Sequence, residues 1–312
     1  MNAILFPGQG SQVVGMGTEF YNNFKMVKEI FAEADEKLKF KISKIILEGP
    51  EDKLKLTENT QPAILVVSYA IFSVLKKEFN FNFEFTKFFA GHSLGEYSAL
   101  VCAESLKFDD ALFLLHERGK SMQEAVPIGK GSMLAVLGSK FEEINDFLKD
   151  AKSKGVCEIA NDNAEGQIII SGEVESLNTL KIILKENKKK FIPLNVSAPF
   201  HCSLMNSAAL KMKDKINSTV FEKPSFNIVC NVTSKPENNP ENIKKLLVEQ
   251  IYSTVRWRES IINMSNDNIT NFVEIGPGKV LSGMVKRTVK NINCFSINSI
   301  DDMKKIIDES KK

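Results

Sequence analysis

Short apolar runs alternate with longer amphipathic stretches along this chain, and the two patterns predict different elements. Ala3-Ile4-Leu5-Phe6 reads as a buried strand, ended by the loop Pro7-Gly8-Gln9-Gly10-Ser11-Gln12. Helical spacing covers roughly Glu19 to Lys37, Ser43 to Leu47 and Gln61 to Phe79, the last opened by the start signal Asn59-Thr60-Gln61-Pro62. Phe88 to Ala90 is a second apolar strand, and it runs through Gly91-His92-Ser93-Leu94-Gly95 straight into another helix. Phe108 to Ala125 is helical, with Arg118 towards its C-terminal part, until Pro127 and Gly129-Lys130-Gly131 stop it.

The pattern then changes. A strand at Ser132 to Leu137, a helix at Lys140 to Lys152 and strands at Val156 to Asn161 and Gln167 to Ser171 follow one another. A helix at Val174 to Asn187 and a strand at Lys190 to Val196 complete the order β-α-β-β-α-β, which is that of a ferredoxin-like unit. Beyond Asn195-Val196-Ser197-Ala198-Pro199-Phe200-His201, a helix to Ser218 restores strand-helix alternation. It continues with strands at Asn227 to Asn231, Asn271 to Ile275 and Asn293 to Ser296, and helices from Pro240, Trp257, Lys279 and Asp301. Strands separated by helices imply a mostly parallel sheet covered on both faces. The expected fold is therefore α/β: a large domain of residues 1–127 and 197–312, interrupted by a small inserted domain of 128–196.

Composition narrows the function classes. A net charge of +2 over 312 residues gives no basic stripe for nucleic acid. The five cysteines have neither Cys-x-x-Cys spacing nor a histidine pair for a metal, so reduced thiols in the cytoplasm are expected. Met1-Asn2 offers no secretion signal, and Ala63 to Leu75 is interrupted by Ser68, Tyr69 and Ser73 and is too short to span a bilayer. The glycine loop after the first strand lacks the Gly-Lys-Ser/Thr ending of a phosphate loop and the spacing of a dinucleotide fingerprint, so no nucleotide site is expected there.

Gly-x-Ser-x-Gly between a strand and a helix is the sequence form of a nucleophile elbow, which makes Ser93 the candidate nucleophile. A serine hydroxyl needs a base, and the chain has three histidines. His92 adjoins Ser93, where the two side chains diverge. His116 lies between apolar residues on a helix face and reads as a packed or surface side chain. His201, at a strand exit, is left as the base. No acidic residue has the signature of a third triad member; Gln250, at a helix end, is a candidate to orient the imidazole by an amide group instead. Arg118 is one of only four arginines in a lysine-rich chain, and its planar fork suits either a substrate carboxylate or a structural ion pair.

Five motifs stand in order along the chain: Phe6 to Gln12, Gly91 to Glu96, Arg118-Gly119-Lys120-Ser121-Met122-Gln123, Ala198-Pro199-Phe200-His201-Cys202 and Gly276-Pro277-Gly278-Lys279-Val280-Leu281. Together they make the chain resemble the malonyl-CoA:acyl carrier protein transacylases of bacterial type II fatty acid synthesis. The resemblance implies a malonyl-Ser93 ester formed from malonyl-CoA and passed to the phosphopantetheine thiol of holo acyl carrier protein, with His201 as base and acid. It also implies an oxyanion hole from the backbone N–H groups of Gln9 and Leu94, a carboxylate clamp at Arg118, and a Gln250 backbone carbonyl on the histidine. Leu94 and Phe200 accompany malonyl rather than branched acyl groups in related domains. A monomer without metal or cofactor is expected. The alternatives are a serine hydrolase acting on acyl thioesters and a catalytically silent carrier-binding subunit; an intact Ser93, His201 and Arg118 argue against the second.

Overall fold

The computed structural model describes residues 1–196 and 198–310. Among these residues ten strands are arranged in two sheets: β1 Asn2–Phe6, β2 Thr86–Gly91, β3 Gly131–Leu137, β4 Cys157–Ala164, β5 Gln167–Glu173, β6 Lys190–Pro193, β7 Asn227–Val229, β8 Pro236–Glu237, β9 Asn271–Ile275 and β10 Asn293–Ile297. The larger sheet has the order β10-β9-β1-β2-β7-β8. All its pairings are parallel except the short edge β7–β8.

Alternate residues of the central strands feed two different cores, as a sheet buried on both faces requires. Ile4, Phe6, Phe89, Ile228, Val273 and Ile275 join the core built with the helices Lys25–Leu38, Thr57–Lys77, Gly95–Cys102 and Phe108–Glu124. Ala3, Leu5, Phe88, Ala90, Val229 and Phe272 point the other way, onto the helices Trp257–Asn266 and Val280–Thr288. Each fully buried large side chain contributes about 1.5–3 kcal/mol. Phe89, stacked on Phe226 at 4.4 Å between centroids, is one whose truncation would cost about 3–5 kcal/mol.

The second sheet, β4-β5-β3-β6, is wholly antiparallel and has the ferredoxin-like strand order. Leu134, Val136, Ile168 and Ile170 pack under the helices Phe141–Ala151 and Val174–Glu186 as a separate core. Its other face carries Met133, Ala135 and Ile169, which join the main core instead. That helix-free face is therefore laid against the larger unit. Backbone bonds from Val255 N–H to Ala160 O (2.8 Å) and from Asp162 N–H to Val255 O (3.0 Å) stitch the two together. Arg258 adds a bidentate pair with buried Asp162. Ser197, where the sequence reading returns to the large unit, lies outside the described residues.

Several boundaries differ from the sequence expectation. The stretch from Glu19 to Lys37 is two helices, Thr18–Asn23 and Lys25–Leu38, because Phe24 is extended and lays its ring against Phe20 and Phe79. A short helix at Glu51–Lys55 and the two-residue strand β8 had no signal in the pattern. The segment from Cys202 divides into a 3-10 turn, Ser203–Met205, and the helix Asn206–Ser218. The helix expected from Gln61 begins at Thr57 and takes Pro62 into its body. A proline there cannot bond the carbonyl of Glu58, four residues earlier. His116 Nδ1 lies 3.0 Å from that carbonyl and takes the missing donor's place, which accounts for this histidine structurally.

Candidate active site

Ser93 sits between the end of β2 and the helix Gly95–Cys102 with φ at 54°, a left-handed conformation in which a serine is strained. The flanking glycines make this possible. A Cβ on Gly91 would lie 1.9 Å from the Gly95 backbone, and one on Gly95 would lie 2.3 Å from the Phe6 carbonyl oxygen. Asn231, just past β7, completes the turn: its Oδ1 accepts from Ser93 N–H at 2.7 Å, and its Nδ2 donates to Gly91 O at 2.7 Å. Sequence reasoning missed this residue. The available signal was a polar side chain at the end of the apolar run Ile228-Val229-Cys230, where a buried asparagine needs partners.

His201 also has a left-handed backbone, φ 57°, and is buried. Its Nδ1 lies 2.8 Å from the backbone carbonyl of Gln250, which can only accept, so the proton resides on Nδ1. Nε2 is therefore an unprotonated acceptor, 2.7 Å from Ser93 Oγ. Burial, and then the nearby Arg118 cation, push the imidazole down to about 3, so it is neutral at physiological pH. A hydroxyl held against a neutral imidazole can lose its proton as it attacks. The loop carrying His201 is held from the small sheet: Glu158 of β4 accepts from Ser203 N–H and Oγ–H at 2.8 Å each, and Ser171 of β5 donates to Phe200 O at 2.5 Å. His92 turns away from the hydroxyl, with Nε2 2.8 Å from Asn163 Oδ1 and its ring edge-on to Trp257.

Arg118 projects from the helix Phe108–Glu124 and is 1% exposed. Its Nη1 donates to Gln61 Oε1 at 2.7 Å, and its Nη2 donates to Gln250 Oε1 at 2.8 Å and Ser93 Oγ at 3.2 Å. These acceptors are all neutral. Among the described residues no carboxylate comes within ion-pair distance of it, so the structural ion pair left open by the sequence is absent here. A buried cation held by amide oxygens retains its full charge for an incoming anion.

Ser93, Leu94, Arg118, Phe200 and His201 line one cavity of about 370 Å³ together with Gln9, which comes from the loop after β1. Among the described residues, neither the Gln9 nor the Leu94 amide N–H is committed to a hydrogen bond. Asn161, Asn163 and Gln167 of the small sheet add polar groups to the lining. A cavity of about 430 Å³ at the other end of the parallel sheet, lined by Asn2, Phe81, Asn271 and Phe295, holds no nucleophile and base pair. No group of three or more histidine, cysteine or acidic side chains among the described residues could hold a metal ion, and no described helix is long and apolar enough to cross a membrane.

Comparison with known proteins agrees with this geometry. The acyl transferase domain family matches residues 4–309. A malonyl CoA-acyl carrier protein transacylase of Bacillus subtilis (strain 168) is 41% identical over 99% of this chain and 97% of its own. The crystal structure of an acyl-carrier-protein-S-malonyltransferase from Bartonella henselae superposes with a TM-score of 0.96 at 40% identity, covering 100% of this chain and 99% of that one. A malonyl-transacylase in complex with its type II PKS acyl-carrier protein superposes with a TM-score of 0.95 at 38% identity, over 99% of both chains. With an elbow serine on a neutral histidine, a buried arginine facing the same cavity, and near-complete coverage by these relatives, the chain belongs to the malonyl CoA-acyl carrier protein transacylase family of acyl transferases.

Proposed function

We propose that this enzyme transfers the malonyl group of malonyl-CoA to the phosphopantetheine thiol of holo acyl carrier protein in two half-reactions through a malonyl-Ser93 ester. Ser93 Oγ attacks the thioester carbonyl as its proton passes to His201 Nε2. The carbonyl oxygen becomes an oxyanion held by the Gln9 and Leu94 N–H groups, each worth about 2.7–4 kcal/mol in the transition state. As the C–S bond breaks, the imidazolium returns its proton to the departing CoA thiolate. The pantetheine thiol then gives its proton to His201 and attacks the ester carbonyl, and as the bond to Ser93 Oγ breaks the imidazolium returns that proton to Oγ. Gln250 keeps the imidazole in the reactive tautomer through its backbone carbonyl.

The observation that carries this reading is that one hydroxyl, Ser93 Oγ, meets both the neutral His201 at 2.7 Å and Arg118, which has no carboxylate in direct contact, at 3.2 Å. In this reading Arg118 pairs with the free carboxylate of the malonyl group. An acetyl thioester leaves that donor unsatisfied, a loss of about 1–3 kcal/mol, or roughly 5- to 150-fold in rate. The unpaired cysteines support a cytoplasmic setting. The division into residues 1–127 and 197–312 with an insert of 128–196 belongs to the same proposal, supported by the separate core of the second sheet.

Intact-protein mass spectrometry tests it. Malonyl-CoA is expected to leave a stable increment on Ser93 that holo acyl carrier protein removes, while acetyl-CoA labels poorly. Labelling on another residue, or release to water as fast as to the carrier, would overturn it; the second outcome describes a hydrolase.

A further inference from the structure

Glu96, in the first turn of the elbow helix, is 1% exposed and takes no part in the chemistry above. Its Oε2 accepts from Asn231 N–H at 3.0 Å and from Gln250 Nε2 at 2.9 Å; its Oε1 is buried without a hydrogen-bond partner. The Gln250 amide stands between two charges, with Nε2 on the Glu96 carboxylate and Oε1 on the Arg118 guanidinium. A flipped amide would face donor to donor and acceptor to acceptor, so the two charges together set its orientation. Glu96 is thus linked to Arg118 through one amide, and the remaining ionisable groups beside it are the Cys230 thiol and the Tyr97 phenol.

We infer that Glu96 is a positioning residue and the built-in counter-charge of Arg118, and that a malonyl carboxylate seated on Arg118 takes over that role and makes Glu96 bind a proton from solvent. This rests on the reading of Arg118 as the carboxylate clamp. The physical reason is charge balance: a buried site tolerates one anion for one cation far better than two. Burial already pushes the Glu96 carboxyl up to about 7, against the hydrogen bonds from Asn231, Gln250 and the Cys230 thiol and the Arg118 charge, which lower it. A second anion nearby raises it further. Proton uptake therefore occupies the window from about pH 7 upward to the raised value; across it malonyl affinity falls by up to about 10-fold per pH unit.

Calorimetric titration of the Ser93→Ala protein with malonyl-CoA in buffers of different ionisation enthalpy, at about pH 8, reads the protons exchanged directly. Up to about one proton is expected to enter with malonyl-CoA and none with acetyl-CoA. The uptake is expected to vanish in Ser93→Ala/Glu96→Gln, which keeps the side-chain shape. Equal uptake in both proteins, or none in Ser93→Ala, would overturn the inference. If the double variant fails to fold, infrared difference spectra of Ser93→Ala decide instead: malonyl-CoA must raise a protonated-carboxyl band, and its absence refutes the idea. Absence of a malonyl-Ser93 adduct in the wild-type enzyme is a separate result, and it would remove the parent reading instead.

Discussion

The turn that carries Ser93 and the loop that carries His201 share an unusual backbone, both residues having φ near the left-handed minimum, yet they are held there by different means. Ser93 owes its conformation first to its own motif: glycines at 91 and 95 let β2, the loop after β1 and the elbow helix close on one another, and Asn231 then bonds the turn at Ser93 N–H and Gly91 O. His201 is held from a distance. Gln250 fixes its ring, while Glu158 and Ser171, from the small sheet, fix the backbone on either side of it. The strain at the nucleophile is therefore built into a local motif, whereas the strain at the base depends on the assembly of two sheets. Close glycine packing backed by Asn231 sets one half of the dyad, and hydrogen bonds from Gln250 and the small sheet set the other.

The largest expected effect comes from removing either member. Ser93→Ala and His201→Ala should each lower malonyl transfer to holo carrier protein by about 10⁴-fold or more, and the double variant should be no worse, because the two act as a unit. Additive losses in a transfer assay would show that they do not. Gly95→Ala tests the local half. The new Cβ, 2.3 Å from Phe6 O, must displace backbone, and a loss of at least about 1–3 kcal/mol in denaturant unfolding is expected together with loss of activity. A stable, active Gly95→Ala would show that the elbow does not need the close approach.

Glu158→Ala tests the distant half. It removes two charge-assisted bonds to Ser203, worth about 1.5–3 kcal/mol each, and should lower kcat about tenfold or more with little change in KM. Glu158→Gln should recover part of the loss; no recovery would point to a role for the charge itself. Ser171→Ala, which removes one neutral bond, should cost about 1 kcal/mol and only a few-fold in kcat. The smallest effect is expected from acid. In the proposed mechanism His201 works as the unprotonated base, and burial holds it down to about 3, so the rate per folded molecule should stay level as pH falls through 6.5 and drop only near 3. Stability behaves differently. Below about 6.5 the unfolded chain binds a proton that the folded one does not, so His201 makes the protein less stable as pH falls from there towards 3. An acid limb at 6.5 in kcat/KM, measured with unfolding monitored in parallel, would contradict the burial argument.

The same division decides what could be read from the chain before folding. Element types followed from periodicity, and the ferredoxin-like order of residues 131–193 was legible because alternation and helical spacing switch cleanly there. The boundary errors share a cause. Pro62 is a start signal in isolation, but His116, far along the chain, supplies the donor that allows it inside a helix. In the site, Ser93 was visible in its motif, and His201 by elimination among three histidines. Asn231, Gln61 and the bond between Glu96 and Gln250 were not, since nothing local distinguishes a buried amide from a surface one.

By itself, then, the sequence determined the α/β class and the elbow and singled out the candidate nucleophile and base, because glycine spacing, hydrophobic period and side-chain chemistry are properties of neighbouring residues. Only the tertiary structure decided how Arg118 is partnered. A guanidinium flanked by Gln61 and Gln250, from helices more than a hundred residues apart in the chain, keeps its charge because the acceptors brought to it are neutral. That outcome depends on which side chains packing brings within 3 Å, and linear spacing carries no such information.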